Sequence, residues 1–337
     1  MLLDCDIHLV GILFPSEVTP DGLSLLPCIE VSPVKDTHDS LTQTPKVQDD
    51  LLPTGDVHLG KRTKYPKNYD PSILTFIPRA DSRQRLGLID GNLPFNGYDC
   101  WTLYEVSYLK ETGLPVAALG EIVIPCTSGF LVESKSLKLY LNSLNYQSFS
   151  SGDEVSHVIR RDLASGLAIP EDEVRISIRP LQPGQSSELE PWEPCSDIGG
   201  YLCLEQAQPD TVISTFEYDP DLLNLADCVT ETEEKLATHL LKSNCPVTGQ
   251  PDWATLFIKY AGRRIDPASL LRYVVSFRDH SGFHEMCVER IFTDIMRRCR
   301  PEKLTVFARY TRRGGIDINP FRSNCENFHD APRTLRQ

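Results

Sequence analysis

Between residues 180 and 200 the chain carries Pro180, Pro183, Gly184, Pro191, Pro194, Gly199 and Gly200 among serines and glutamates. Such a stretch suits an exposed connection between domains, so two structural units are expected, one on either side. In the first, Cys100 to Tyr108 alternates apolar and polar residues with period two. Lys110 to Pro115 supplies turn chemistry, and Val116 to Ile124 returns as a second strand. Helices are expected from about Glu133 to Tyr140 and from Asp153 to Leu163, the latter with Val155, Val158, Ile159 and Leu163 on one face. Val174, Ile176 and Ile178 alternate as a further strand. In the second unit, Val212 to Tyr218 predicts a strand, and Thr230 with Glu233 forms a capping box that predicts a helix to about Lys242. Ala254 to Tyr260 is strand-like, and Asp266 with Pro267 opens a helix whose stripe is Leu270, Leu271, Val274 and Val275. A longer helix from about Phe283 stops before Pro301, and Leu304, Val306, Ala308 and Tyr310 alternate as a strand.

Strands, two helices and more strands on both sides of the break define an α+β chain of antiparallel hairpins with helices on one face. No strand-linked Gly-x-Gly-x-x-Gly occurs, which argues against a parallel dinucleotide-binding sheet. The length of 337 residues suits two domains plus a tail, and the boundaries are placed at residues 58–200 and 201–337. Residues 1–57 are read as a disordered extension, because the Pro, Ser, Thr and Asp content from Pro15 to Asp56 buries too little apolar surface to offset ordering entropy.

A formal charge of −13 leaves no general basic footprint for nucleic acid. The apolar run Ile7 to Phe14 is interrupted by His8 and preceded by Asp4 and Asp6, so neither a signal peptide nor a membrane span is expected. The 11 cysteines are odd in number, scattered and never Cys-x-x-Cys, which reads as reduced thiols in the cytoplasm.

Four short segments carry chemistry. In Ser243 to Trp253, Cys245 stands seven residues before Asp252 across a Pro/Gly-rich turn. A thiol is a nucleophile as thiolate, so a neighbour that takes its proton is required, and Asp252 is suited to that role. On this segment alone, Cys245 reads more readily as a small buried apolar residue. In Glu133 to Tyr140, Lys135 and Lys138 share a helical face that suits phosphate, or simply a solvated helix end. In Thr311-Arg312-Arg313-Gly314-Gly315, an arginine fork and two glycines suit phosphate, or a charged hairpin turn. In Phe283-His284-Glu285, the carboxylate can complement a helix dipole, or accept hydrogen bonds from a purine-like edge with Phe283 against the ring and His284 as proton donor.

Taken in order, these segments resemble the NADPH-dependent 7-cyano-7-deazaguanine reductases of queuosine biosynthesis, in their long two-module form. The similarity runs from about Leu59 to the C-terminus and includes Asn92-Leu93-Pro94-Phe95, Trp101 to Glu105 and Pro301 to Leu304. The resemblance implies two tandem tunnelling-fold modules assembled as a homodimer, with the cofactor helix in the first and the nucleophile in the second. It implies catalysis by Cys245, Asp252 and His284, and substrate contacts from Val132, Glu133, Ser134, Phe283, His284 and Glu285. It implies NADPH contacts from Ser134, Lys135, Arg313 and Gly314, which Lys138 joins on its helical face. The implied reaction reduces a nitrile to an amine through a cysteine thioimide. Neither direct nucleic-acid contact nor a membrane is expected. The first 55 or so residues and the stretch from Gln182 to Cys203 depart from the family pattern. A thiol-dependent nitrile hydrolase or a non-catalytic purine-binding protein are the alternatives. A zinc-dependent relative is disfavoured, since the 8 histidines include no His-x-His and His284 has no evident metal partners.

Overall fold

One eight-stranded sheet takes in the alternating runs Cys100 to Tyr108 and Leu304 to Tyr310, with one further strand between them. The computed structural model describes residues 65–181, 200–327 and 333–337. The expected extension at residues 1–57 and nearly all of the Pro/Gly-rich connection lie outside them. In order, the elements are β1 (Phe76–Pro78), α1 (Ala80–Arg85), β2 (Asn96–Leu109), β3 (Pro115–Pro125), β4 (Phe130–Val132), α2 (Ser134–Ser143), α3 (Gly152–Leu167) and β5 (Arg175–Pro180). There follow β6 (Leu202–Cys203), α4 (Leu204–Ala207), β7 (Glu231–Asn244), β8 (Pro251–Arg263), α5 (Pro267–Ser276), α6 (His284–Arg298), β9 (Lys303–Tyr310) and β10 (Ile316–Ser323).

The strand order is β5-β3-β2-β10-β9-β8-β7-β6, and β1 pairs with β4 separately. The two modules therefore join edge to edge where β10 lies antiparallel to β2, from Ile316 opposite Leu103 to Ser323 opposite Asn96. One pairing departs from the antiparallel expectation: β6 runs parallel to β7, with Cys203 opposite Ala237.

Side chains alternate across this sheet because the strand period is two. Ile122 and Ile178 meet Tyr140, Val155, Ile159 and Leu163 of α2 and α3 in the first core, which Ile316 and Ile318 of β10 complete. Leu256, Ile258 and Tyr260 meet Leu270, Val274, Ile291 and Phe292 of α5 and α6 in the second. Phe257, between two residues of that core, points the other way and stacks on Phe307 with ring centres 4.4 Å apart. The helical cap read at Asp266 is present, its side chain accepting from the Ser269 amide, and Ser151, which the sequence reading did not single out, caps α3 by accepting from the Glu154 amide.

Two expectations fail. The helix predicted from Thr230 to Lys242 is strand β7, paired with β8 from Glu231 opposite Arg263 to Asn244 opposite Pro251. Glu, Lys, Leu and Ala favour helix intrinsically, but the β-rich partner strand beside this segment overrides that preference. The strand predicted at Val212 to Tyr218 is irregular chain, with Val212 78% exposed and Phe216 47% exposed. No strand pairs with this segment, and Ile213 and Tyr218 instead pack against the second core from irregular chain.

Candidate active site

The loop after β7 holds Cys245 at its first position. The Cys245 amide donates to the Gln250 carbonyl at 2.8 Å and the Gly249 amide donates back to the Cys245 carbonyl at 2.9 Å, closing a tight turn. Gly249 takes φ +67°, a left-handed conformation that costs a residue with a Cβ. Burial by itself pushes the Cys245 thiol up, but the Thr248 hydroxyl, the Thr248 and Val247 amides and the charge of Arg313 outweigh it, and the pKa is lowered. Amides converging on a sulfur in a turn form an anion nest. Among the cysteines whose pKa departs from the ordinary value, Cys100, Cys126, Cys287 and Cys299 are all raised, chiefly by burial.

Asp252 lies on β8 opposite Ser243, two residues before Cys245. It is 5% exposed. Its two oxygens take different partners: Arg313 Nη1 lies 2.9 Å from Oδ1, and His284 Nε2 lies 3.3 Å from Oδ2. His284 is the first residue of α6 and stacks flat on Tyr310, ring centres 3.7 Å apart and planes 2° apart. The strap before α6 is bonded to the end of β7, with the Asn244 amide donating to the His280 carbonyl and the Gly282 amide to the Asn244 carbonyl. These contacts fix the helix start beside the Cys245 loop. The turn after β9 is fixed likewise, through Thr311 N to the Trp253 carbonyl at 2.8 Å and Arg313 N to the Ile316 carbonyl at 2.9 Å.

Glu285, the next residue of α6, is 3% exposed. Its carboxyl is pushed up to about 8, first by burial and then by the Asp99 charge, with Arg79 and Arg322 only partly compensating. Asp99 and those arginines belong to a buried network that the sequence did not reveal. Arg79 and Arg322 both pair with Asp99, and Arg83 and Arg322 both pair with Glu289, at 2.8 and 2.9 Å. Asp99 and Glu289 are held below the usual carboxylate range: burial would raise them, and the arginine charges overcome it. Glu289 stands one turn after Glu285 on α6, the single hint in the sequence. The other members come from α1, β2, β10 and the residue before α1.

Of the cofactor candidates, Lys138 and Gly314 border a cleft with Asn142, Asn145, Gly315 and Glu105. Lys138 Nζ donates to the Gly314 carbonyl at 2.6 Å and pairs with Glu105 at 3.0 Å. A Cβ on Gly315, at φ +78°, would lie 2.4 Å from Glu105, so the turn passes close against that side chain. Lys135 and Ser134 start α2, but the Lys135 and Ser136 amides are already used. Glu133 is the cap, its oxygens accepting from the Lys135 and Ser136 amides at 2.9 and 2.6 Å. A carboxylate has about four acceptor sites, so this leaves capacity for a ligand while taking the Lys135 and Ser136 amides away from a phosphate. Val132 is buried at the end of β4, and Phe283 is half-buried as the residue before α6. The structure thus groups Cys245, Asp252, His284 and Arg313, and separately joins Lys138 to Gly314.

Two tunnelling-fold modules in one sheet, with a thiol of lowered pKa held near a carboxylate–imidazole pair, define a class: tunnelling-fold proteins with a cysteine site. Comparison with known families is specific within it. Residues 65–178 match the family described as nitrile reductase, 7-cyano-7-deazaguanine-reductase N-term, and residues 251–329 match the family described as QueF-like protein. The chain belongs to the 7-cyano-7-deazaguanine reductases, the nitrile reductases of queuosine biosynthesis, in the long two-module form. Among the described residues no helix is long and apolar enough to cross a membrane.

Proposed function

We propose that this chain reduces the nitrile of 7-cyano-7-deazaguanine to the primary amine of 7-aminomethyl-7-deazaguanine, with two NADPH and a covalent thioimide on Cys245. One observation carries the reading: Arg313, ion-paired to Asp252, also adds its charge to the Thr248 and Val247 hydrogen bonds that lower the pKa of Cys245, so thiol, carboxylate, imidazole and guanidinium are electrostatically linked.

The thiolate adds to the nitrile carbon, forming the C–S bond as one C–N π bond breaks. The nitrogen takes a proton from the Asp252–His284 pair, giving the thioimide. After hydride reaches the carbon, the C–S bond breaks and the thiolate leaves with its electron pair, producing an imine. A second hydride and proton complete the amine. NADPH would supply the two hydrides when bound, and Lys138 and Gly314, with Ser134, Lys135 and Arg313, would hold it. Covalent attachment retains the half-reduced intermediate, and burial of Cys245, Asp252 and Glu285 limits access of water to it. Glu285 as carboxylate would accept two donors from the purine edge, with Glu133, Val132, Ser134 and Phe283 as further contacts. A homodimer in the cytoplasm is proposed on the family resemblance, and sedimentation of the full chain tests the assembly.

Mixing the protein with NADPH and 7-cyano-7-deazaguanine should oxidise two cofactors per nitrile, followed by absorbance of the nicotinamide. Absence of oxidation removes the reading, and release of acid or amide without oxidation would make the chain a thiol hydrolase.

A further inference from the structure

Where the short strand β6 meets β7, three side chains of metal-ligating type converge outside the candidate active site. Ligand atoms of Cys203, Glu205 and His239 all lie within 4.8 Å of one another. Cys203 ends β6, Glu205 stands in the first turn of α4, and His239 sits on β7 at the register shift between Thr238 and Leu241. An irregularity of this kind re-aims a side chain, here towards the parallel partner.

Two of the three side chains carry a buried polar atom that has no hydrogen-bond partner. His239 Nδ1 meets the Thr255 hydroxyl at 2.9 Å, which leaves Nε2 as the remaining ring nitrogen, and Nε2 is buried without a hydrogen-bond partner. One oxygen of Glu205 accepts from the His239 amide at 2.8 Å, and the other, Oε2, is likewise buried and unpartnered. Two buried polar atoms without partners in one cluster are costly unless something joins them. A ligating histidine ordinarily has its second nitrogen fixed by an outer hydrogen bond, as Thr255 fixes this one.

We propose that Cys203 Sγ, Glu205 Oε2 and His239 Nε2 bind a divalent transition-metal ion, with Zn²⁺ the fitting occupant. Thiolate, imidazole and carboxylate are the three zinc donor types, and thiolate with imidazole disfavours Mg²⁺ and Ca²⁺. The charge balances, since a thiolate and a carboxylate neutralise the dication. Bond lengths of about 2.0–2.3 Å place tetrahedral ligand atoms roughly 3.5 Å apart, so closing onto an ion takes small side-chain rotations. Three protein ligands leave a fourth position for water. The role is a staple: β6 has two residues and α4 four, too few to hold themselves against β7 by their own hydrogen bonds. This site is independent of the nitrile chemistry proposed above, and none of its residues is assigned a part in it.

Cobalt substitution tests it. The full chain carrying Cys245→Ala, freed of metal by chelation and titrated with Co²⁺, should develop one sulfur–cobalt absorption in the near ultraviolet together with the visible bands of a tetrahedral ion. Adding Cys203→Ser should remove the sulfur band, and His239→Gln should weaken the visible bands. Zn²⁺ should displace the cobalt. At about 100 times its dissociation constant, Zn²⁺ should slow amide exchange in residues 202–207 by up to about 100-fold. Absence of a sulfur band in the Cys245→Ala chain, or its persistence after Cys203→Ser, overturns the site. Should the Cys203 variant fail to fold, the exchange measurement on the wild-type chain decides, and protection unchanged by Zn²⁺ overturns it.

Discussion

Arg313 Nη1 lies 2.9 Å from Asp252 Oδ1, so a residue whose sequence context points to cofactor phosphate is tied to the carboxylate proposed to move a proton. Its side chain is 37% exposed, enough to touch a ligand while keeping that pair.

Two effects should therefore separate in Arg313→Ala. The Michaelis constant for NADPH should rise, and alkylation of Cys245 by iodoacetamide at neutral pH should slow, because the thiol loses a charge that lowers its pKa. Arg313→Lys should restore part of the alkylation rate and less of the cofactor affinity, since it keeps the charge and not the fork. Unchanged alkylation across pH in Arg313→Ala would separate Arg313 from the thiol.

Cys245→Ala should abolish turnover while leaving substrate binding largely intact. Mass spectrometry of the wild-type chain with substrate and no NADPH should find one substrate mass added at Cys245. Attachment at another cysteine would reassign the nucleophile.

Glu285 gives a pH prediction in two parts. Its folded pKa, about 8, lies above the unfolded value, so its contribution to stability is present at acid pH and is lost as pH rises through about 8. Glu285→Gln should thus raise Tm at pH 9 relative to the wild type and change it little at pH 5, the loss per pH unit being at most about 1.4 kcal/mol. Substrate affinity of the wild type, if it needs the carboxylate, should increase from pH 6 to 9. Glu285→Gln should flatten that dependence and weaken binding by roughly 1–3 kcal/mol, as calorimetry would measure. A flat wild-type profile would remove the carboxylate from recognition.

Glu289→Ala would strand Arg83 and Arg322 without one of their buried counter-ions, and breaking such a pair costs about 3–5 kcal/mol. Because Asp99 and Glu289 have lowered pKa values, the network stabilises above the ordinary carboxylate range and is lost as pH falls through the depressed values. Urea denaturation of the variant, and of the wild type from pH 7 to 3, would check both.

Lys138→Ala should raise the Michaelis constant for NADPH more than that for the nitrile. It also frees Gly314 O and Glu105, so a general loss of stability would appear as a lower Tm. A changed constant with unchanged Tm supports cofactor contact, whereas normal saturation in both Lys138→Ala and Lys135→Ala would move that site.

Much of the site was legible because its parts are local in sequence. Cys245 and Asp252 lie on one hairpin, and His284 and Glu285 follow one another at a helix start, so short motifs carry their relationship. The two-module arrangement and the helical stripes were legible for a similar reason: period and capping are properties of neighbouring residues.

Where local preference and partner disagreed, the sequence misled. Glu231 to Asn244 has the composition of a helix and becomes a strand because β8 lies beside it, and Val212 to Tyr218 reads as a strand but meets no sheet. Only tertiary structure brought Arg79, Asp99, Glu289 and Arg322 into one buried network, and only it gathered Cys203 and Glu205 with His239. Apart from Cys203 and Glu205, which are two positions apart, those residues lie tens to hundreds of positions apart, and no local pattern marks a charge whose counter-ion arrives through the pairing of β2 with β10. The sequence by itself determined which groups could do chemistry; folding decided which of them share a dielectric, and hence that Cys245 is acidified while Glu285 is not.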